Sequence, residues 1–163
     1  MIFSKHLHRT TLFILITAAI SSQLGALDVI PRASITTASA QNAVNKIVDE
    51  VGVALDKCRS GYPMVKTATQ RDATMFFLGY FINNGPGLPK GTQQPESKKI
   101  TRAKNIAGQI KTLIESYNTS LQSSSVTANQ TRTIEQSATN GQLRSLTNKF
   151  NNLIAEMAPS QGW

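Results

Sequence analysis

Apolar residues recur three and four positions apart in three long stretches of the chain, and this spacing constrains the fold more than any other feature of the sequence. The stretches cover residues 42–59, 98–121 and 142–157. Residues spaced in this way lie on one side of an α-helix, because the helix turns once every ~3.6 residues. A helix with one apolar side must bury it against other helices, so the pattern predicts an all-α protein with a shared core.

A further helix is predicted from Pro63 or Met64 to about Ile82, because proline suits a first helical turn. Its second half, residues 75–82, is apolar on every side, and we call this segment the apolar run. A weaker helical pattern passes through Ile134 and Ala138. The simplest arrangement that covers these helices is an antiparallel bundle of about four helices, with the apolar run as its most enclosed element.

Residues 83–97 interrupt the helical pattern between the second and third helices. Glycines and prolines are concentrated in this segment, at Gly85, Pro86, Gly87, Pro89, Gly91 and Pro95. Proline lacks a backbone N–H and disrupts both helices and sheets, so we expect a long loop here. A connection of this length between two helices is uncommon, which favours a functional or mobile loop.

The N-terminus has the pattern of an export signal. A basic cluster opens it: Lys5, His6, His8 and Arg9. The apolar segment that follows, residues 12–20, is too short to cross a bilayer as a helix. Small residues allow cleavage at three points: after Ala40, after Ala26 or after Ser22. We favour Ala40, because the helical pattern begins directly after it, and we predict a signal peptide over 1–40, a single domain over 41–163, and a secreted or periplasmic location.

Few residues of the predicted mature domain are suited to catalysis. Both histidines, His6 and His8, lie in the predicted signal, so the usual general base of a nucleophilic site is missing. The carboxylates lie on polar helix faces and lack the spacing of a calcium loop. We therefore predict a protein that is not an enzyme and that holds no metal and no cofactor.

Cys58 is the single cysteine of the chain. An unpaired cysteine in an exported protein is compatible with a bridge between two chains or with a free thiol. Cys58 lies on the apolar side of the first helix, and free cysteines are among the most buried residues of proteins. This position favours a buried, unreactive thiol.

The apolar run is the strongest candidate for a binding surface. One interpretation makes it a buried core helix. The other makes it a surface for a protein partner or for a second copy of the chain, because residues that are apolar all round exceed what one core face can bury. Under the second interpretation Phe77 is exposed in the monomer. The candidate partner-binding residues are Phe76, Phe77, Tyr80, Phe81 and Leu88.

Basic residues outnumber acidic ones after Ala40, fourteen against eight. This excess either keeps the protein soluble or attracts a membrane surface, a cell-wall polymer or nucleic acid. The candidate polyanion-binding residues lie on the third helix: Lys98, Lys99, Arg102, Lys104 and Lys111. They flank its apolar side on both edges, with Lys111 placed to pair with Glu115. A nucleic-acid binder would show one continuous stripe with stacking aromatics, so we expect no nucleic-acid partner.

The stretch FFLGYFINNGPGLPKGT, residues 76–92, resembles part of the small periplasmic immunity proteins that neutralise cell-wall amidase effectors. The likeness covers less than a fifth of the chain, and the paired cysteines of those proteins have no counterpart here. It implies an inhibitor role. The sequence as a whole predicts an exported helical protein that acts by binding a protein, as a secreted effector, an envelope or secretion component, or an inhibitor. The alternative is a peripheral membrane or cell-wall binder that uses the basic residues of the third helix.

Overall fold

The chain is all-α over residues 36–66 and 69–158, the part that the computed structural model describes. Five helices occur in this part: α1 (Thr37–Asp56), α2 (Gln70–Asn84), α3 (Ser97–Gln122), α4 (Ala128–Thr139) and α5 (Gln142–Met157). None of the described residues forms a strand, so the predicted all-α class is confirmed. The predicted apolar segment of the signal, residues 12–20, and the cleavage points at Ser22 and Ala26 lie outside the described residues.

The apolar stripes of the sequence are the faces that the helices bury. On α1 this face includes Val44, Ile47, Val51 and Leu55, all at most 1 % exposed. On α3 it includes Ala103, Ile106, Ala107, Ile110 and Ile114, and on α5 it includes Leu143, Leu146, Phe150, Leu153, Ile154 and Met157. Helix α1 contacts each of the other four helices. These faces meet in one hydrophobic core, as the helical spacing predicts.

Helix α1 begins before the point at which the sequence favoured cleavage. Thr36 caps it, because its hydroxyl accepts a hydrogen bond from the Ser39 N–H at 3.2 Å. The Ser39 hydroxyl donates to Glu135 Oε1 of α4 at 2.9 Å, and Ala40 is fully buried. The peptide bond after Ala40 therefore lies inside α1 rather than ahead of it.

Helix α2 begins at Gln70, so the prediction that it starts at Pro63 or Met64 is wrong. The Thr69 hydroxyl accepts a hydrogen bond from the Asp72 N–H at 3.1 Å and caps the helix there. The described residues between Pro63 and Lys66 are not helical, and Met64 is fully exposed. Val65 packs against the core from this segment without forming a helical turn.

The turn after α1 is fixed to the residues that follow α2. The Gly61 N–H donates to the Gly87 carbonyl at 3.1 Å, and the Gly87 N–H donates to the Cys58 carbonyl at 2.7 Å. A third bond joins the Tyr62 hydroxyl to the Gly85 carbonyl at 2.7 Å. A Cβ atom at Gly87 would lie 2.6 Å from the Tyr62 ring, so only glycine allows this close approach. The chain leaves α2 in a defined direction as a result.

Candidate functional site

Four aromatic rings and one guanidinium lie together where the end of α1 meets α2. They belong to Arg59, Tyr62, Phe76, Phe77 and Tyr80, and we call this group the aromatic edge. The ring centroids of Tyr62 and Tyr80 are 4.5 Å apart, and those of Phe76 and Phe77 are 5.6 Å apart. The Arg59 guanidinium carbon lies 4.6 Å from the centre of the Phe77 ring. Rings at these distances attract one another, and the cation adds to that attraction.

The two neighbouring phenylalanines of the aromatic edge differ in exposure. Phe77 is 7 % exposed, whereas Phe76 is 44 % exposed. The prediction that Phe77 is exposed is therefore wrong. Phe77 lies on the side of α2 that also buries Leu78 and Phe81, and Tyr62 and Arg59 cover its ring.

The other predicted partner-binding residues also differ in how far they are exposed. Phe81 is fully buried and contacts Phe150 of α5 edge to face, with ring centroids 5.4 Å apart. It is a core residue, because no part of its surface is open to a partner. Leu88 is half-buried and packs against the core, and Tyr80 is half-buried at the aromatic edge. Phe76 and Tyr80 are thus the predicted residues that a partner could reach most directly.

A groove of about 480 Å³ adjoins the aromatic edge. It is lined by Asp56, Arg59, Ser60, Tyr62, Pro63, Met64, Val65, Ala73 and Phe77. The Arg59 side chain forms an ion pair with Asp56, so these two charges of the groove lining balance each other. Met64 is fully exposed on its wall. The groove therefore presents apolar and aromatic surface with little net charge.

The Cys58 thiol lies directly beneath the aromatic edge. It is a free cysteine that is 1 % exposed, which confirms the predicted burial. Burial raises the pKa of the Cys58 thiol to about 12, and the nearby Asp56 charge acts in the same direction. Burial also raises the pKa of Tyr62, with smaller contributions from Cys58 and Tyr80. A protonated buried thiol is a poor nucleophile, so Cys58 contributes packing here.

Three of the five predicted polyanion-binding residues are engaged within the protein. Lys99 forms an ion pair with Glu156 of α5 at 2.9 Å. Lys111 pairs with Glu115, as the sequence predicts. The Lys104 ammonium donates to the Asn83 carbonyl at 2.9 Å. Neither Lys98 nor Arg102 forms an ion pair with any described carboxylate.

Helix α5 adds a cation that the sequence did not indicate. Lys149 lines a groove between α3 and α5 together with Lys98 and Arg102, above a floor formed by Ile106 and Leu146. We call it the cationic groove; its volume is about 570 Å³. Four neutral polar residues complete its lining: Ser97, Thr101, Asn105 and Gln109. Lys149 lies more than forty positions from Lys98, so only the packing of α5 on α3 brings them together.

No family model, no curated protein and no solved structure matches this chain. Within the described part of the chain, no three metal-binding side chains of His, Cys, Asp or Glu lie close enough to hold a metal ion. No helix in that part is both long and apolar enough to span a bilayer. The aromatic edge and the cationic groove are therefore the two surfaces that bear on function.

Proposed function

We propose that this chain is an exported, non-enzymatic helical protein that binds a protein partner at the aromatic edge. The exposed Phe76 ring, held against Phe77 and Tyr80, is the observation that carries the proposal. Rings fixed before binding lose little conformational freedom when a partner arrives. The partner is another protein or a second copy of the chain.

The residue types at this surface support protein binding. Protein interfaces are enriched in aromatic residues, methionine and arginine, and the residues that dominate their affinity are most often Trp, Tyr and Arg. The aromatic edge and its groove present Arg59, Tyr62, Met64, Phe76 and Tyr80 together. Large exposed apolar residues are rare elsewhere: in the described part of the chain they are Val53, Met64 and Phe76. Two of these three lie at this surface.

Export is proposed from the N-terminal sequence pattern. We place the cleavage point upstream of Thr36, after Ser22 or Ala26, because Thr36 caps α1 and Ala40 is buried in the core. N-terminal sequencing of the mature protein is expected to begin at Gln23 or Leu27. A start at Gln41 would contradict this, since α1 would lose its cap and its first turn.

We also infer that successive helices run antiparallel around the core, with residues 85–96 as a long connection from α2 to α3. The short connections over 123–127 and 140–141 support this arrangement, because few residues suffice only when the next helix starts near the end of the last. In this arrangement the long connection begins beside Gly61 and Tyr62, at the aromatic edge.

Affinity capture with matched variants tests the protein-binding proposal. The mature protein and two variants, Phe76→Ser and Val53→Ser, are used to capture proteins from the native compartment, and the products are compared by quantitative mass spectrometry. Val53 is the matched control, because it is also exposed and apolar but lies outside the aromatic edge. We expect one partner to be retained by Val53→Ser and reduced about tenfold or more by Phe76→Ser, the loss typical of a dominant interface residue.

The same variants test binding to a second copy of the chain. Sedimentation velocity of the purified protein would then show a dimer that Phe76→Ser abolishes and Val53→Ser retains. Circular dichroism of Phe76→Ser is expected to match the unmodified protein, because the residue is partly exposed. Identical capture and identical oligomeric state for all three proteins would contradict the proposal.

The cationic groove supports a second candidate function, the binding of an anionic surface or ligand. Its support is the cluster of Lys98, Arg102 and Lys149, which no described carboxylate neutralises. This function does not exclude the first, because the groove lies between α3 and α5 and the aromatic edge lies on α2 and the turn after α1.

A further inference from the structure

We propose that the cationic groove binds a ligand that presents clustered phosphate groups. This inference deepens the second candidate function and does not depend on protein binding at the aromatic edge. The ligand chemistry is that of a phospholipid headgroup or of a soluble phosphate compound, and the two sources are separated by the experiment below.

The charge of the groove is positive and unbalanced. Lys98, Arg102 and Lys149 line it, and none of the residues that line it is acidic. The neighbouring Lys99 lies outside the lining and is neutralised by Glu156. Three like charges on one groove repel one another, and an anion placed among them relieves that repulsion. The surface is therefore electrostatically complementary to a ligand with several negative charges.

Arg102 and the neutral lining residues point to phosphate as the anionic group. A guanidinium presents its donors in a planar fork that matches two oxygens of one phosphate, and ammonium groups add compact charge beside it. Thr101 and Ser97 supply hydroxyl donors, and the amides of Asn105 and Gln109 supply further N–H donors. A phosphate group offers several oxygens around one centre, so it can accept bonds from several of these groups at once.

The floor of the groove gives it a fixed shape. Ile106 is 7 % exposed and Leu146 is 9 % exposed, so both are held by the core beneath them. An apolar floor keeps the local dielectric constant below that of water, which strengthens the attraction of the three cations for an anion. The groove volume of about 570 Å³ lies within the range of small-ligand sites.

Titration with tripolyphosphate and flotation with lipid vesicles test the proposal. The mature protein is titrated calorimetrically with tripolyphosphate at low and high salt. It is also mixed with vesicles of phosphatidylcholine, with and without phosphatidylglycerol. We expect binding to one of these phosphate sources at low salt that weakens about tenfold or more at high salt, because release of counterions contributes to the affinity.

Two double variants with the same net charge separate the groove from the overall positive charge. Arg102→Gln/Lys149→Gln removes two cations of the groove. Lys46→Gln/Arg132→Gln removes two exposed cations of α1 and α4 that lie outside it. We expect the first to weaken binding about tenfold or more and the second by less than about threefold, since screening limits the effect of distant charges.

The results distinguish a soluble phosphate ligand from a lipid headgroup. Groove-dependent binding of tripolyphosphate without vesicle binding supports a soluble phosphate ligand, and groove-dependent binding of phosphatidylglycerol vesicles supports a lipid headgroup. An equal loss in both double variants, or no binding of either probe, overturns the proposal. Phe76→Ser is expected to bind the probes as the unmodified protein does, so failure here is distinguishable from failure of the protein-binding proposal.

Discussion

The aromatic edge and the cationic groove occupy different parts of the same helical domain and are held in different ways. The aromatic edge is built from residues 59–80, and its members contact one another directly. The cationic groove lies between α3 and α5, and its three cations have no ion-pair partner among the described carboxylates. The aromatic edge is continuous with the core, whereas the cationic groove consists of exposed charged side chains above core residues.

Because of this difference, substitutions in the two surfaces are expected to have different effects on stability. Substitutions in the aromatic edge change packing, because the Phe77 ring packs against the Tyr62 ring and the Tyr62 hydroxyl donates to the Gly85 carbonyl. Substitutions of Lys98, Arg102 or Lys149 change mainly the surface charge, because all three side chains are exposed. We therefore expect substitution of the buried Phe77 of the edge to respond in unfolding measurements, and substitutions of the groove cations to respond mainly in binding measurements.

The largest expected effect compares the two adjacent phenylalanines of the aromatic edge. Phe77→Ala leaves a cavity beneath Tyr62 and Arg59 and is expected to lower the free energy of unfolding by about 3 kcal/mol or more. Phe76→Ala removes a partly exposed ring and is expected to cost less than about 1 kcal/mol. Urea unfolding followed by circular dichroism measures both. Equal losses would show that the two rings are equally buried in solution.

A glycine comparison gives the next largest effect. Gly87→Ala places a Cβ atom 2.6 Å from the Tyr62 ring and is expected to lower the free energy of unfolding by about 1–3 kcal/mol, the usual cost of overpacking. Gly108→Ala in α3 meets no atom within 4 Å and is expected to stabilise by up to about 1 kcal/mol, because alanine favours helix. Thermal unfolding of both variants measures the difference. A Gly87→Ala protein as stable as the unmodified one would mean that the Tyr62 ring does not pack on this glycine.

Alkaline pH is expected to destabilise the fold at Cys58, beneath the aromatic edge. The pKa of Cys58 is about 12 in the fold and near the ordinary value of 9.0 in the unfolded chain, so unfolding releases a proton between these pH values. The free energy of unfolding is therefore not reduced by this group below pH 9, and it declines as the pH rises toward 12. The raised pKa of Tyr62 acts in the same direction.

Unfolding curves of the unmodified protein and of Cys58→Ala across this pH range test the effect. We expect a shallower decline in the variant, because one titrating group has been removed. The slope is compared rather than the absolute stability, since the substitution also removes a buried side chain. Identical slopes would mean that the thiol titrates normally in the fold.

The smallest expected effect on stability belongs to the cationic groove. Arg102→Gln/Lys149→Gln is expected to change the free energy of unfolding by less than about 0.5 kcal/mol, as exposed substitutions away from caps and ion pairs usually do. Urea unfolding of this variant beside Lys46→Gln/Arg132→Gln provides the measurement. A loss well above 1 kcal/mol would show that the groove side chains take part in packing, and the contrast with the aromatic edge would disappear.

The sequence predicted the helical stripes well because each depends on spacing along one helix. The buried faces of α1, α3 and α5 follow from residues three and four positions apart, such as Val44, Ile47 and Val51. The start of α2 was predicted too early, because Pro63 suits a first helical turn but Thr69 supplies the cap. Proline in a first helical turn and threonine at an N-cap are both favoured locally, so a local pattern cannot distinguish these two helix starts when packing selects one of them.

The candidate surfaces were predicted in part. Periodicity did not separate Phe76 from Phe77, because the apolar run lacks a polar face that would mark which side meets solvent. Lys149 could not be assigned to the groove, because nothing near it in the sequence indicates that α5 packs beside Lys98 and Arg102. Its position one turn after Leu146, at the edge of the apolar face of α5, was the available signal.

The all-α class and the buried faces of three helices were predictable from the position of apolar residues along a single helix, and the same positions favoured the burial of Cys58. The folded structure was needed to show that Phe77 is covered while Phe76 is exposed, that Lys99 is paired while Lys98 is not, and that Lys149 joins the groove. These outcomes depend on which helices become neighbours. The packing of the whole core determines which helices are neighbours, and no single segment of the chain contains that information.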